Sequence, residues 1–316
     1  MNDSFIAPEL IGGRADVLLA TEQPAEIIEH IWTLIRMASP SHARSLSEKL
    51  VRKLSDQVAL VTSPDTALLH DLAHAHFIAG YSIAINTYSY EAVLAIEHFH
   101  RMEQLARDLT DQTLLNLALT YQGDMYCRKG DLQEARTYLE AAQNSTPLAD
   151  TASRGNSLQL LCRVYLRMND LVNFEYTMKV AEQLAAVIEP DKSVTHGQYC
   201  LGTVYEEYAR SYGNLGQLQQ ALDYLAKAEE TLPPLPHWRL LLTTTRALAL
   251  IRGGEIAQGT QVAIQAAQSC RAHGNIRLLE RIRGLQRFLD RQALQMKRAA
   301  VELDDALSDP SYSSSS

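Results

Sequence analysis

The segment Asn116–Pro147, NLALTYQGDMYCRKGDLQEARTYLEAAQNSTP, constrains the fold more than any other stretch of this chain. Its first half sets Leu119, Gly123 and Tyr126 on one helical face, and its second half does the same with Ala135, Leu139 and Ala142. Between them stand Gly130, which can take the left-handed conformation that ends a helix, and Asp131, a residue type that caps the next. Pro147 closes the unit. Two short amphipathic helices joined by so tight a turn cannot bury their apolar faces alone. They need stacked neighbours of the same kind.

The same skeleton recurs. Cys162 and Tyr165 lead to a turn at Asn169-Asp170, then to Phe174, Met178 and Ala181. Tyr205, Tyr208, Ala209 and Tyr212 lead to Gly216, then to Ala221, Leu225, Ala228 and Pro233. Ala247 and Leu250 precede Gly253-Gly254, followed by Gly259, Ala263 and Ala266, and a weaker copy has Gly80 and Ile83 before a turn near Asn86-Thr87, then Ala92 and Ile96. Equivalent positions (Ala92, Ala135, Phe174, Ala221, Gly259) recur at intervals of roughly 40 residues, with the longest gap between Phe174 and Ala221.

This order of small residue, Tyr, Gly-Asp turn, paired alanines and closing Pro resembles the tetratricopeptide repeat over residues 66–275. The opening aromatic of that motif is absent from the unit at Asn116. The resemblance implies an all-α fold: an α-solenoid of about five or six hairpins with capping helices at both ends. Residues 1–65 read as an N-terminal loop (residues 1–22) and a helix pair, the first helix opening at Pro24, the second at about His42 after the Ser39-Pro40-Ser41 break, with Asp65 capping the next. Residues 276–308 read as a C-terminal capping helix with Leu278, Leu279, Ile282, Leu285 and Leu289 on one face, and 309–316, DPSYSSSS, as a disordered tail. With the Arg-rich closing helix, the array resembles the sensor half of bacterial helix-turn-helix regulators that carry such repeats. Residues 1–65 hold no helix-turn-helix pattern, so only the receptor half of the resemblance carries over.

Composition narrows the function classes. The net charge of −8 argues against a surface that grips a phosphate backbone, so no direct nucleic-acid contact is expected. No apolar run is long enough for a membrane span, and the start lacks a basic segment before an apolar core, so a cytoplasmic protein is expected. Cys127, Cys162, Cys200 and Cys270 form no CxxC pair and read as buried reduced thiols. No nucleophile elbow, phosphate-binding glycine loop or paired-carboxylate setting occurs, so no enzyme, cofactor or resident metal is expected. His70, His74 and His76, with His98 and His100 on the following helix, have spacing that a metal could use. Histidines at a polar–apolar helix boundary are the simpler reading. Tyr126, Tyr165 and Tyr212 are expected in the core, whereas Tyr121 and Tyr208 are less determined.

A binding face is better argued from geometry. In stacked hairpins the first helix of each unit lines the concave surface, and residues not used for packing remain for a ligand. These are Thr120, Asp124 and Arg128, then Asn156, Gln159, Arg163 and Arg167, then Glu206 and Arg210, and then Arg252. Arginines contributed by successive units along one stripe suit a protein or peptide ligand, acidic or presenting its C-terminal carboxylate. The expected function is therefore a protein- or peptide-binding receptor or adaptor in bacterial regulation. Mutating Arg163 and Arg167 to Ala is expected to abolish binding and leave melting unchanged. The alternatives are a structural scaffold subunit, or a metal- or small-molecule-responsive sensor using the His70–His100 cluster. Self-association as a homodimer stays open.

Overall fold

The computed structural model describes residues 17–189 and 193–308. Among them the chain is helical without a strand: α1 (Pro24–Arg36), α2 (Pro40–Leu60), α3 (Thr66–Asn86), α4 (Ala92–Asp108), α5 (Gln112–Lys129), α6 (Leu132–Asn144), α7 (Thr151–Arg167), α8 (Leu171–Ala185), α9 (Leu201–Asn214), α10 (Leu218–Thr231), α11 (Pro236–Arg252), α12 (Ile256–Ala272) and α13 (Ile276–Ser308). The helices pack as antiparallel neighbours, α3 with α4 through to α11 with α12, and the first helix of one unit lies on the first helix of the next, as α5 on α7 and α9 on α11. The architecture is an all-α helical-hairpin solenoid. None of these helices is long and apolar enough to cross a membrane.

The turns form where the sequence places them. Gly130, Asn169, Gly216 and Gly254 all take left-handed backbone conformations, with φ between 61° and 98°. Asp65, Asp111, Asp150 and Asp170 cap the helices that follow by accepting backbone N–H groups. Asp131 differs from expectation: it sits at the N-cap of α6 but accepts no capping bond, and its carboxylate faces Lys129 at 3.3 Å. The small residues explain how closely the helices approach. Ala135 and Ala142 are fully buried, and Gly123 leaves room for Leu139, whose Cγ would lie 2.6 Å from an added Cβ.

Two differences from the sequence reading matter for the site. Residues 17–21 are helical, not extended; residues 1–16 and the tail 309–316 lie outside the described residues. The long gap between Phe174 and Ala221 holds the connection between α8 and α9, whose residues 193–200 pack inward. Its Tyr199 is fully buried against Gly155, where an added Cβ would sit 2.1 Å from the ring, and its hydroxyl donates to the Ala181 carbonyl. Its His196 stacks on Trp32 of α1 with ring centroids 4.7 Å apart and meets Glu29 at 3.0 Å.

The array thereby curls until its ends meet. α11 touches α1, and α13 returns to α3. Glu280 of α13 accepts from the backbone N–H of Ser89 at 3.2 Å and from its hydroxyl at 2.5 Å. α13 therefore does more than cap: Leu278 and Leu285 are buried in the last unit, while an adjacent face of the same helix looks across the concave interior. The aromatic core of the first units is Trp32, Phe77, Tyr81, Phe99 and Tyr121. Tyr121 and Tyr208 are buried, as is Tyr165, but Tyr126 and Tyr212 are only half-buried, which reverses part of the expected assignment. Tyr126 stacks on Tyr138 instead, and Tyr212 on Tyr208 and Tyr224. All four cysteines are buried and free.

Candidate functional site

Asp124, Arg128, Asn156, Gln159, Arg163, Arg167, Glu206, Arg210 and Arg252 border cavities inside the curl, where α13 and nearby carboxylates engage many of them. Thr120 does not, being fully buried with its hydroxyl directed to Asn116, whose amide donates to the Ala142 carbonyl of α6. Thr120, Asp124, Asn156, Gln159 and Glu206 are buried. Gln159 donates to the Thr203 carbonyl at 3.1 Å, and Thr245 donates to Glu206 at 2.6 Å. Arg163 bridges two buried acids, meeting Asp124 at 2.8 Å and Glu207 at 2.6 Å. Arg210 donates to the same Glu207 carboxylate and lies 3.7 Å from Glu206. Arg128 donates to the Ala84 carbonyl at 2.5 Å, and Arg167, which is exposed, donates to the Cys127 carbonyl. Arg252 lies over the Phe288 ring, 4.7 Å from its centroid, and donates to the Asn214 carbonyl at 3.4 Å.

The partners from α13 are Arg277, 3.6 Å from Asp124, and Arg281, 3.7 Å from Glu206. Between α13 and the array remains a chamber of about 430 Å³. Arg128, Arg163, Arg167, Arg210, Arg277, Arg281 and Arg287 all line it, with only Glu207 and Glu280 as acids. Counting Asp124 and Glu206 behind this wall, seven guanidinium groups face four carboxylates. A chain of net charge −8 has thus gathered an excess of positive charge into its interior. A neighbouring cavity of about 380 Å³ shares Arg210, Arg281 and Arg287 and adds Arg252 and Arg291.

The imbalance is visible in single groups. Burial alone would raise the Asp124 carboxyl, but Arg277, Arg163 and Arg128 overcome it and hold the group below the usual carboxylate range. Glu207 follows the same logic: burial raises it, and Arg163 and Arg210 bring it down to about 2. Burial would lower the Arg163 guanidinium, but Glu207 and Asp124 beside it outweigh that and hold it firmly charged. Arg281 goes the other way: burial, then repulsion from Arg210, pushes its guanidinium well below its ordinary value despite Glu206. Arg128 is pushed down to about 10, by burial and then by Arg277. Three buried donors of chamber-lining side chains have no hydrogen-bond partner: Nε of Arg210, Nη1 of Arg281 and Oγ of Ser211. An unpaired buried donor costs about 1–3 kcal/mol. Two of them, Nε of Arg210 and Nη1 of Arg281, lie 3.7 Å from the same Glu206 oxygen, beyond hydrogen-bond reach.

The double replacement Arg163→Ala with Arg167→Ala is not innocent, contrary to the expectation from sequence. Arg163 neutralises two buried carboxylates, so its loss lowers melting whatever it does to a ligand. The histidines form two pairs, with His100 apart from both. His76 and His98 meet Nδ1 to Nδ1 at 3.0 Å, His70 lies beside His74 and 3.8 Å from Asp111, and His100 lies 3.9 Å from Glu103. No group of three or more His, Cys, Asp or Glu placed for a metal occurs among the described residues.

Sequence reasoning missed Glu207, Ser211, Arg277, Glu280, Arg281 and Arg287. A signal existed in the closing helix: Arg277, Arg281, Arg287 and Arg291 share one helical face beside its leucine stripe. Nothing local says that this face turns inward. No protein-family model matches the chain, and no curated protein matches it in sequence.

Proposed function

We propose that the chain is a receptor or adaptor of the tetratricopeptide kind, working in the cytoplasm in bacterial regulation, which holds an acidic or C-terminal protein segment inside its curl. It works by binding and not by catalysis. The observation that supports this reading is the chamber itself, where guanidinium groups from α5, α7, α9 and α13 outnumber the carboxylates and leave donors unpaired. Guanidinium forks recognise carboxylates bidentately, and a water-poor interior strengthens each such bond. Ligand binding would also engage α13, because Arg281 and Arg287 stand on that helix, so the terminal helix couples the filled chamber to the outer surface.

The test uses a fluorescein-labelled octapeptide of glutamates with a free C-terminal carboxylate, and its glutamine counterpart. Anisotropy is expected to show binding of the glutamate peptide alone, weakening as salt is raised. Arg167→Ala combined with Arg287→Ala is the informative variant, since neither side chain pairs with an acid in the fold. It is expected to weaken affinity by about tenfold or more while leaving melting unchanged. Equal binding of the two peptides, or full affinity in the variant, would sink the reading.

A further inference from the structure

Beyond Leu289, α13 leaves the array. Every side chain in residues 293–308 is exposed. The apolar stripe that seats Leu278 and Leu285 in the core nevertheless continues along the same face, through Met296, Leu303 and Leu307, which are 70%, 62% and 78% exposed. A solitary helix of this length is marginal in water, because most helical stability in proteins comes from packing an apolar face.

We propose that this projecting segment pairs with the same segment of a second copy of the chain, antiparallel, as a short two-helix coiled coil. The spacing fits the seam such a pair needs. Met296 and Leu303 stand seven residues apart at one core position, and Ala293, Ala300 and Leu307 recur at the other, in register with Leu289 where the helix still packs on the array. The charges select the partner and its direction. After Asp290 and Arg291, which offset each other, the segment is basic at Lys297 and Arg298 and acidic at Glu302, Asp304 and Asp305. A parallel pair would set this flank against the Gln292, Ala299 and Ala306 side and leave Lys297 and Asp304 without a bridge; a two-fold antiparallel pair sets each basic half against an acidic half. Lys297 and Asp304 occupy the flanking position whose counterparts meet in an antiparallel pair, so Lys297 faces Asp304 of the partner subunit, and symmetry repeats the bridge. The other flank carries Ala299 and Ala306, small enough for close approach of the backbones. Because the same patch serves both copies, the contact closes at two and does not propagate. This stands independently of the anionic-ligand reading, since none of these side chains lines the chamber.

Sedimentation equilibrium of the full chain across micromolar concentrations tests the pairing. A reversible monomer–dimer equilibrium is expected. Met296→Glu with Leu303→Glu is expected to leave a monomer with unchanged melting of the array. Lys297→Asp is expected to weaken the dimer by about tenfold or more, and adding Asp304→Lys to restore it, as only the antiparallel arrangement allows. A monomer throughout, a dimer that survives the two glutamates, or a charge swap that fails to restore pairing would each overturn the proposal.

Discussion

Replacing Glu207 with glutamine is expected to lower the stability of the folded chain by about 3–5 kcal/mol, the range for breaking a buried ion pair from one side. Glu207 is 1% exposed and accepts from both Arg163 and Arg210, so its loss leaves two enclosed guanidinium groups sharing the remaining acids. Urea denaturation of wild type and variant measures the effect directly, as a fall in midpoint at constant slope. The companion experiment has the opposite sign. Arg281→Met removes a cation that burial and its arginine neighbours already disfavour, and it leaves Glu206 with Thr245 and Arg210. That variant is expected to be as stable as wild type or more so. A network built only for stability would lose from both replacements. One that carries surplus cations for a ligand loses only when an acid is removed.

Acid is expected to unfold the chain in two stages. His76, His196 and His237 have their pKa values lowered to about 4, in each case chiefly by burial, with His98, Glu29 and Arg277 respectively the next largest influences; Glu29 acts the opposite way, raising His196. In the unfolded chain they titrate near 6.5. Between these values the unfolded state binds more protons, so stability is complete above pH 6.5 and is lost as pH falls toward 4. For His237, only 7% exposed, the full loss is on the order of 3 kcal/mol. Carboxylates make the second stage. Glu207, held at about 2 in the fold, contributes stability that is present above its unfolded value of 4.5 and is lost as pH falls through 2. Melting temperatures measured from pH 8 to pH 2 check both. His237→Gln is expected to flatten the first stage, and a melting temperature constant down to pH 4 in wild type would contradict it.

The hairpins were legible because helix periodicity, a left-handed turn residue and a capping aspartate are all local signals. The partial reversal of the tyrosines shows where such signals fail. α5 is buried on nearly all sides, between α6, α4 and its neighbours along the array, so no single face marks Tyr121 as core over Tyr126. The side chains from Asp124 to Arg252 could be grouped on one face because their spacing follows the helix, whereas Thr120 goes into the packing against α6. Their partners were not legible. Asp124 and Arg277 stand nearly half the chain apart, and only the closure of the curl through Tyr199, His196 and α13 brings them within 3.6 Å. An arginine looks available for a ligand until the buried acid that neutralises it is seen, and that is a tertiary fact.

The surplus charge in the chamber is the centre of this account, and melting in different anions tests it most directly. Inorganic phosphate, compared with chloride at matched ionic strength, is expected to raise the melting temperature of wild type by about 2 °C or more beyond the rise in Arg281→Met, because only wild type keeps the full set of unpaired donors. The comparison removes the general salting-out effect, which both proteins share. Equal shifts in the two proteins would show that the arginines are there to hold the fold together and not to receive an anion.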